Sequence, residues 1–208
     1  MNAIQLLKAD HKTVEALFKR YEKAGDKAFK EKKEIAQRIV KELSVHATIE
    51  EQLFYPAARA RDERVNSQVL EALEEHHVAK WTLDEIDRMS PEDERFDAKV
   101  TVLIESIRHH VKEEEGSLFP KVQQVMGRSE LAALGEAMEQ AKTLSPTHPH
   151  PMSPDTPPGN VISGVLAKIL DTGRDAARAV KQRAAKAVTQ AAGRARKSAT
   201  PKRRTAHR

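Results

Sequence analysis

Four long segments of the 208-residue chain carry apolar side chains at alternating spacings of three and four residues. That period keeps one face of a helix turned toward a shared core. Near residues 2–24 the stripe is Ile4, Leu7, His11, Val14, Phe18 and Tyr21. Near 30–62 it is Ala36, Ile39, Leu43, His46, Glu50, Leu53 and Ala57. Near 65–89 it is Val69, Ala72, His76, Ala79, Leu83 and Ile86, and near 92–126 it is Val100, Leu103, Ile107, His110 and Glu114. The breaks between segments, at Gly25-Asp26, around Arg64 and at Ser90-Pro91, are short, which forces neighbouring helices to run antiparallel. The pattern predicts an all-α fold, an antiparallel up-down four-helix bundle over residues 1–144. Pro56 and Pro120 fall late in the second and fourth segments, where each removes a backbone donor and is expected to kink or end its helix. Ser129 is predicted to cap a short fifth helix reaching about Lys142, with Leu131, Leu134 and Met138 free to pack.

Residues 145–160 contain six prolines and read as a stiff, extended linker. Beyond it, Val161, Val165, Ile169, Ala176, Val180, Ala184, Ala187 and Ala191 trace a further amphipathic helix poor in large side chains, and the last dozen residues are expected to lack structure. Charge divides the chain at the same place. Residues 161–208 hold 13 Lys and Arg against 2 Asp, and the rest 23 against 29, so an acidic body bears a basic tail. Three partners suit such a tail: nonspecific nucleic acid, an anionic membrane surface, or another protein. Few large apolar side chains argue against lipid, and the absence of interleaved aromatics argues against sequence-specific reading. The chain has no apolar run long enough to span a membrane and no secretory segment, so a cytoplasmic location is expected.

The absence of cysteine leaves histidine and carboxylate as the available metal ligands. The second and fourth segments share His, a Glu pair and Pro at identical offsets: His46, Glu50, Glu51 and Pro56 match His110, Glu114, Glu115 and Pro120. Asp10-His11 and Glu75-His76 match more weakly, so the chain reads as a duplicated helical hairpin. His-x-x-x-Glu places a nitrogen and an oxygen ligand one turn apart on one helix face. Four inward imidazoles and two inward carboxylates form a costly interior, because each buried carboxylate loses roughly several kcal/mol of hydration. Two metal ions remove that cost. One takes His11 and His46, the other His76 and His110, and Glu50 and Glu114 bridge them. His76 is preferred to His77, which is expected to face outward with Lys80 and Asp84; His110 is preferred to His109 on the same argument.

This arrangement resembles the hemerythrin-like, or HHE cation-binding, family over about residues 1–144, through His11, His46/Glu50, His76 and His110/Glu114. The resemblance implies a non-haem centre of two iron ions, oxo- or hydroxo-bridged when oxidised, that meets dioxygen, peroxide or nitric oxide. Manganese or zinc also suits the ligand types. Oxygen-carrying members have a second histidine one turn after the third-helix ligand. Here that residue is Lys80, so the resemblance points to sensing, oxidative-stress defence or iron handling. Catalase-like peroxide decomposition and a structural bundle with a DNA-binding tail are the alternatives. Catalytic residues are not assigned.

Three further groups are open. Glu51 and Glu115 point about 100° away from the bridging pair and are expected to be solvated or to support the ligands from behind. Glu15 completes a third His-x-x-x-Glu after His11, but Val14 holds the stripe. Tyr21 and Tyr55 are expected to pack in the core, and Lys80 either lines an access channel or reaches solvent.

Overall fold

Asn2 starts the first helix with a capping box: its side chain accepts from the Gln5 amide while the Gln5 side chain accepts from its own N–H. The computed structural model describes residues 1–154. Within them the elements are α1 (Ala3–Lys23), α2 (Phe29–Ile49), a π-helical turn (Glu50–Phe54), α3 (Tyr55–Arg61), a 3₁₀ turn (Glu63–Val65), α4 (Asn66–Arg88), α5 (Phe96–Glu113), a second π-helical turn (Glu114–Leu118), α6 (Phe119–Val125) and α7 (Arg128–Leu144). The fold is the expected all-α antiparallel bundle, with no strand among the described residues. Two hairpins, α1 with α2 and α4 with α5, pack side by side through α2 and α4, and α7 lies against α1 and α2.

The prolines interrupt the α-helical period of the second and fourth helices without ending the helical run. Pro56 has no N–H for the carbonyl four residues back, and its ring would strike that carbonyl. The chain resolves this with one wider turn in which the Tyr55 amide bonds Glu50 O, five residues back; Phe119 bonds Glu114 O in the same way ahead of Pro120. Helix then resumes with each proline in its first turn, where a missing N–H costs nothing.

The wider turn inserts a residue and rotates every later position. Up to Glu50 and Glu114 every residue of the four stripes is buried; after Glu50 the buried residues of the second segment are Glu51, Phe54, Tyr55 and Ala58, with Leu53 and Ala57 only partly covered. A second departure concerns the fifth helix. Gly127 occupies the N-cap and no side chain caps it, so Ser129 is inside the helix. Ser145, Thr147 and His148, in the proline-rich stretch after α7, are buried. The remainder of that stretch from residue 155, and the basic tail at 161–208, lie outside the described residues. No described helix is long and apolar enough to cross a membrane.

Apolar packing falls into two clusters. One joins the start of α1 to α3, α6 and α7 through Leu7, Ile49, Phe54, Phe119 and Met138. The other fills the opposite end with Phe18, Ile39, Leu83, Phe96 and Ile107. His11 lies between Leu7 and Val14 on α1, and His46 between Leu43 and Ile49 on α2, so the polar residues form a layer where one cluster gives way to the other.

Candidate metal centre

All six sequence-predicted ligands are buried and converge on that layer. The Nε2 atoms of His11 and His46 lie 3.2 Å apart, as do those of His76 and His110. Glu50 Oε2 is 3.2 Å from His46 Nε2 and 3.4 Å from His76 Nε2. Glu114 Oε2 is 3.4 Å from His11 Nε2 and 3.5 Å from His110 Nε2. Each carboxylate therefore spans the two hairpins. His11, His46, Glu50 and Glu114 form one set able to hold a cation, and Glu50, His76 and His110 another.

Behind each ring stands a second carboxylate. Nδ1 of His11 meets Glu115 at 2.8 Å, that of His46 meets Asp10 at 3.4 Å, that of His76 meets Glu51 at 3.1 Å, and that of His110 meets Glu75 at 2.7 Å. A carboxylate only accepts, so each Nδ1 carries a proton, and a neutral ring then turns its Nε2 lone pair inward. Two lone-pair nitrogens facing each other at hydrogen-bond distance repel unless a proton or cation lies between them. Glu50 Oε1 and Oε2 and Glu114 Oε2 are buried and have no hydrogen-bond donor. Four imidazoles and two carboxylates are ligand types that suit iron, manganese or zinc.

The electrostatics follow from burial. It pushes His46 down to about 4 and lowers His76, partly offset by the Glu51 hydrogen bond, so both stay neutral. His110 goes the other way: burial opposes its charge, but Glu114 and Glu75 outweigh burial and raise it. Burial and the charge of Glu114 drive Glu50 well above the carboxylate range. Burial acts on Glu114 as well, yet the surrounding imidazoles, His110 first, overcome it and hold that carboxyl at about 2.

Several residues are placed differently from the sequence expectation. Lys80 is buried: its ammonium bonds both oxygens of Glu51 at 3.0 and 3.2 Å and lines the cavity beside the histidines, so it does not share an outward face with His77. Asp84 is also buried, while His109 is largely exposed. Tyr55 joins the site, its hydroxyl 2.9 Å from Glu114 Oε1 and 3.4 Å from His76 Nε2. Tyr21 bonds Asp97 and belongs to the far cluster, and Glu15 pairs with Arg108 away from the centre. Asp10 and Glu75 gave only a faint signal, as the acidic neighbours preceding His11 and His76. A cavity of about 30 Å³ adjoins the four histidines on the side of the second cluster, walled by Val14, Leu43, Ala79, Leu83 and Ile107 with Lys80 at its edge.

The sequence matches the Hemerythrin HHE cation binding domain over residues 2–122. It is 26% identical over 167 residues to an uncharacterized hemerythrin-like protein of Schizosaccharomyces pombe, covering 80% of this chain and 81% of that one. It is also 27% identical over 143 residues to a DNA nickase of Nostoc, covering 69% of this chain and 40% of the nickase. Among solved structures it resembles a hemerythrin HHE cation binding domain-containing protein from Mycobacterium kansasii, with a TM-score of 0.57 and 25% identity, over 69% of this chain and 88% of that chain.

Proposed function

The chain belongs to the hemerythrin HHE cation-binding family, and from that premise we propose that His11, His46, Glu50, His76, His110 and Glu114 hold two metal ions, iron before manganese or zinc, that meet dioxygen, nitric oxide or peroxide. One observation carries this reading: inward lone pairs and donor-less carboxylate oxygens converge in an otherwise apolar interior. His11 with His46 would take one ion and His76 with His110 the other, with Glu50 and Glu114 shared. Bound ions of this kind supply Lewis acidity and, for iron, one-electron redox chemistry.

The chain's own residues do the rest. The four outer carboxylates fix ring orientation and tautomer. Tyr55 holds a proton against Glu114 Oε1 inside the bundle. The small apolar cavity favours a diatomic molecule or peroxide over an organic substrate. We assign the protein a role in sensing such ligands, in oxidative-stress defence or in iron handling. Protein purified without chelator is expected to carry about two irons per chain and a near-ultraviolet absorption band, both lost in the Glu50→Ala, Glu114→Ala double variant. Rapid oxygen evolution from peroxide, abolished by the same variant, identifies the catalase-like form of this reading; metal-free protein refutes the reading as a whole.

A second reading concerns residues 161–208, which we propose contact nucleic acid without sequence specificity. Their 13 basic residues against 2 acidic ones support it, together with the similarity of the chain to a DNA nickase. The full chain is expected to retard DNA in low-salt gel shifts where a 1–154 truncation does not; equal behaviour refutes it.

A further inference from the structure

The four outer carboxylates are anchored differently. Glu75, behind His110, has only histidines as ion-pair partners among the described residues. Glu115, behind His11, has Lys8 at 3.7 Å near solvent. Glu51, behind His76, is gripped by Lys80, one turn after His76 on the same helix. Asp10, behind His46, is held from outside the four-helix bundle: Lys142 of α7 donates to Asp10 Oδ1 at 2.6 Å while Oδ2 receives the Nδ1 proton of His46.

The placement of α7 makes this contact. A Cβ on Gly135 would lie 2.4 Å from Met1 O and 2.7 Å from Ala3 N, so glycine allows α7 to cross the start of α1 at backbone contact. Seven residues further along each helix, in the same direction, stand Lys142 and Asp10. The register set at Gly135 thus delivers the ammonium to the carboxylate. Asp10 keeps 19% and Lys142 24% side-chain exposure, so the carboxylate lies at the solvent boundary and the ammonium takes the place of water at its second oxygen.

We propose that Lys142 is a positioning residue for the His46 side of the centre. It acts through Asp10, whose second oxygen it fixes against the imidazole, so the centre is completed only when the fifth helix is docked. The inference rests on the metal-binding reading of the histidines.

The test uses the full chain as wild type, Lys142→Met, Lys142→Arg, Asp10→Asn and the Asp10→Asn, Lys142→Met pair, each loaded with ferrous iron and challenged with a chelator. Lys142→Met is expected to release one of its two irons about tenfold faster than wild type. Lys142→Arg restores the slow phase, and the double variant releases iron no faster than Asp10→Asn alone. In Mössbauer spectra, one of two iron signals is expected to move in Lys142→Met. Wild-type release kinetics in a Lys142→Met protein that binds two irons overturns the inference. Faster release of both irons together, with a lowered melting temperature of the metal-free protein, makes Lys142 merely structural and also overturns it. A wild-type chain that takes up no iron overturns the metal reading itself.

Discussion

Tyr55 and Glu114 come from opposite hairpins and meet in the interior, the phenol donating to Oε1 at 2.9 Å with both residues at 2% exposure or less. Glu114 Oε2 has no hydrogen-bond donor, so the Tyr55 hydroxyl is the one hydrogen-bond donor to this carboxylate among the described residues. Tyr55→Phe leaves Oε1 buried and bare. It is expected to destabilise the metal-free protein by about 1–3 kcal/mol, measured by urea denaturation in the presence of chelator.

Metal is expected to act as a structural component. Any ion that binds the folded chain and not the unfolded one stabilises it, by about 2.7 kcal/mol at a hundredfold excess over Kd. Adding ferrous iron under anaerobic conditions should therefore raise the melting temperature of wild type. His46→Ala, which opens one side of the centre, should show a smaller rise, read by differential scanning calorimetry.

The metal-free protein should also lose stability as pH rises above about 7. Glu50 is pushed above its ordinary range by burial and by Glu114, so folding keeps a proton that the unfolded chain has released. His110, raised by Glu114 and Glu75 against burial, acts with the same sign. His46 and His76 have lowered values and are neutral in both states there, so they add no slope. Urea midpoints in chelator from pH 7 to 9 are expected to fall for wild type and to fall less for Glu50→Gln. A flat wild-type profile would contradict this.

Gly135→Ala sets two effects against each other. Alanine favours an isolated helix by about 1 kcal/mol, but the new methyl meets the backbone of residues 1–3, which cannot yield as a flexible side chain would. The clash is expected to win, lowering stability by about 1–2 kcal/mol and loosening α7, with faster amide exchange at both ends of the contact.

Bundle, stripes and the convergence of the six inward His and Glu side chains were legible because a helix period of 3.6 ties sequence spacing to direction, and that relation holds from Ile4 to Glu50 and from Val69 to Glu114. It fails where the backbone leaves that period. The π turns follow from Pro56 and Pro120, but a proline announces a disturbance without saying that the chain will widen rather than stop. The periodicity alone therefore assigns Tyr55 to ordinary packing and Leu53 to the stripe. Lys80 was misplaced for another reason: a long amphipathic side chain can turn its ammonium inward once Glu51 is there to receive it, and no periodicity encodes that partner. Lys142 meets Asp10 across a tertiary contact that sequence spacing cannot disclose.

The crossing of the two shared carboxylates has a bearing on symmetry. Glu50 leaves its own hairpin to stand beside His76, and Glu114 leaves its own to stand beside His11. Neither half of the molecule owns a finished chamber, yet two identical halves turned about a common axis would furnish one. One hairpin acting as a pair of identical subunits is thus sufficient to build the chamber, and the two hairpins of this chain are no longer equivalent where Lys80 grips Glu51.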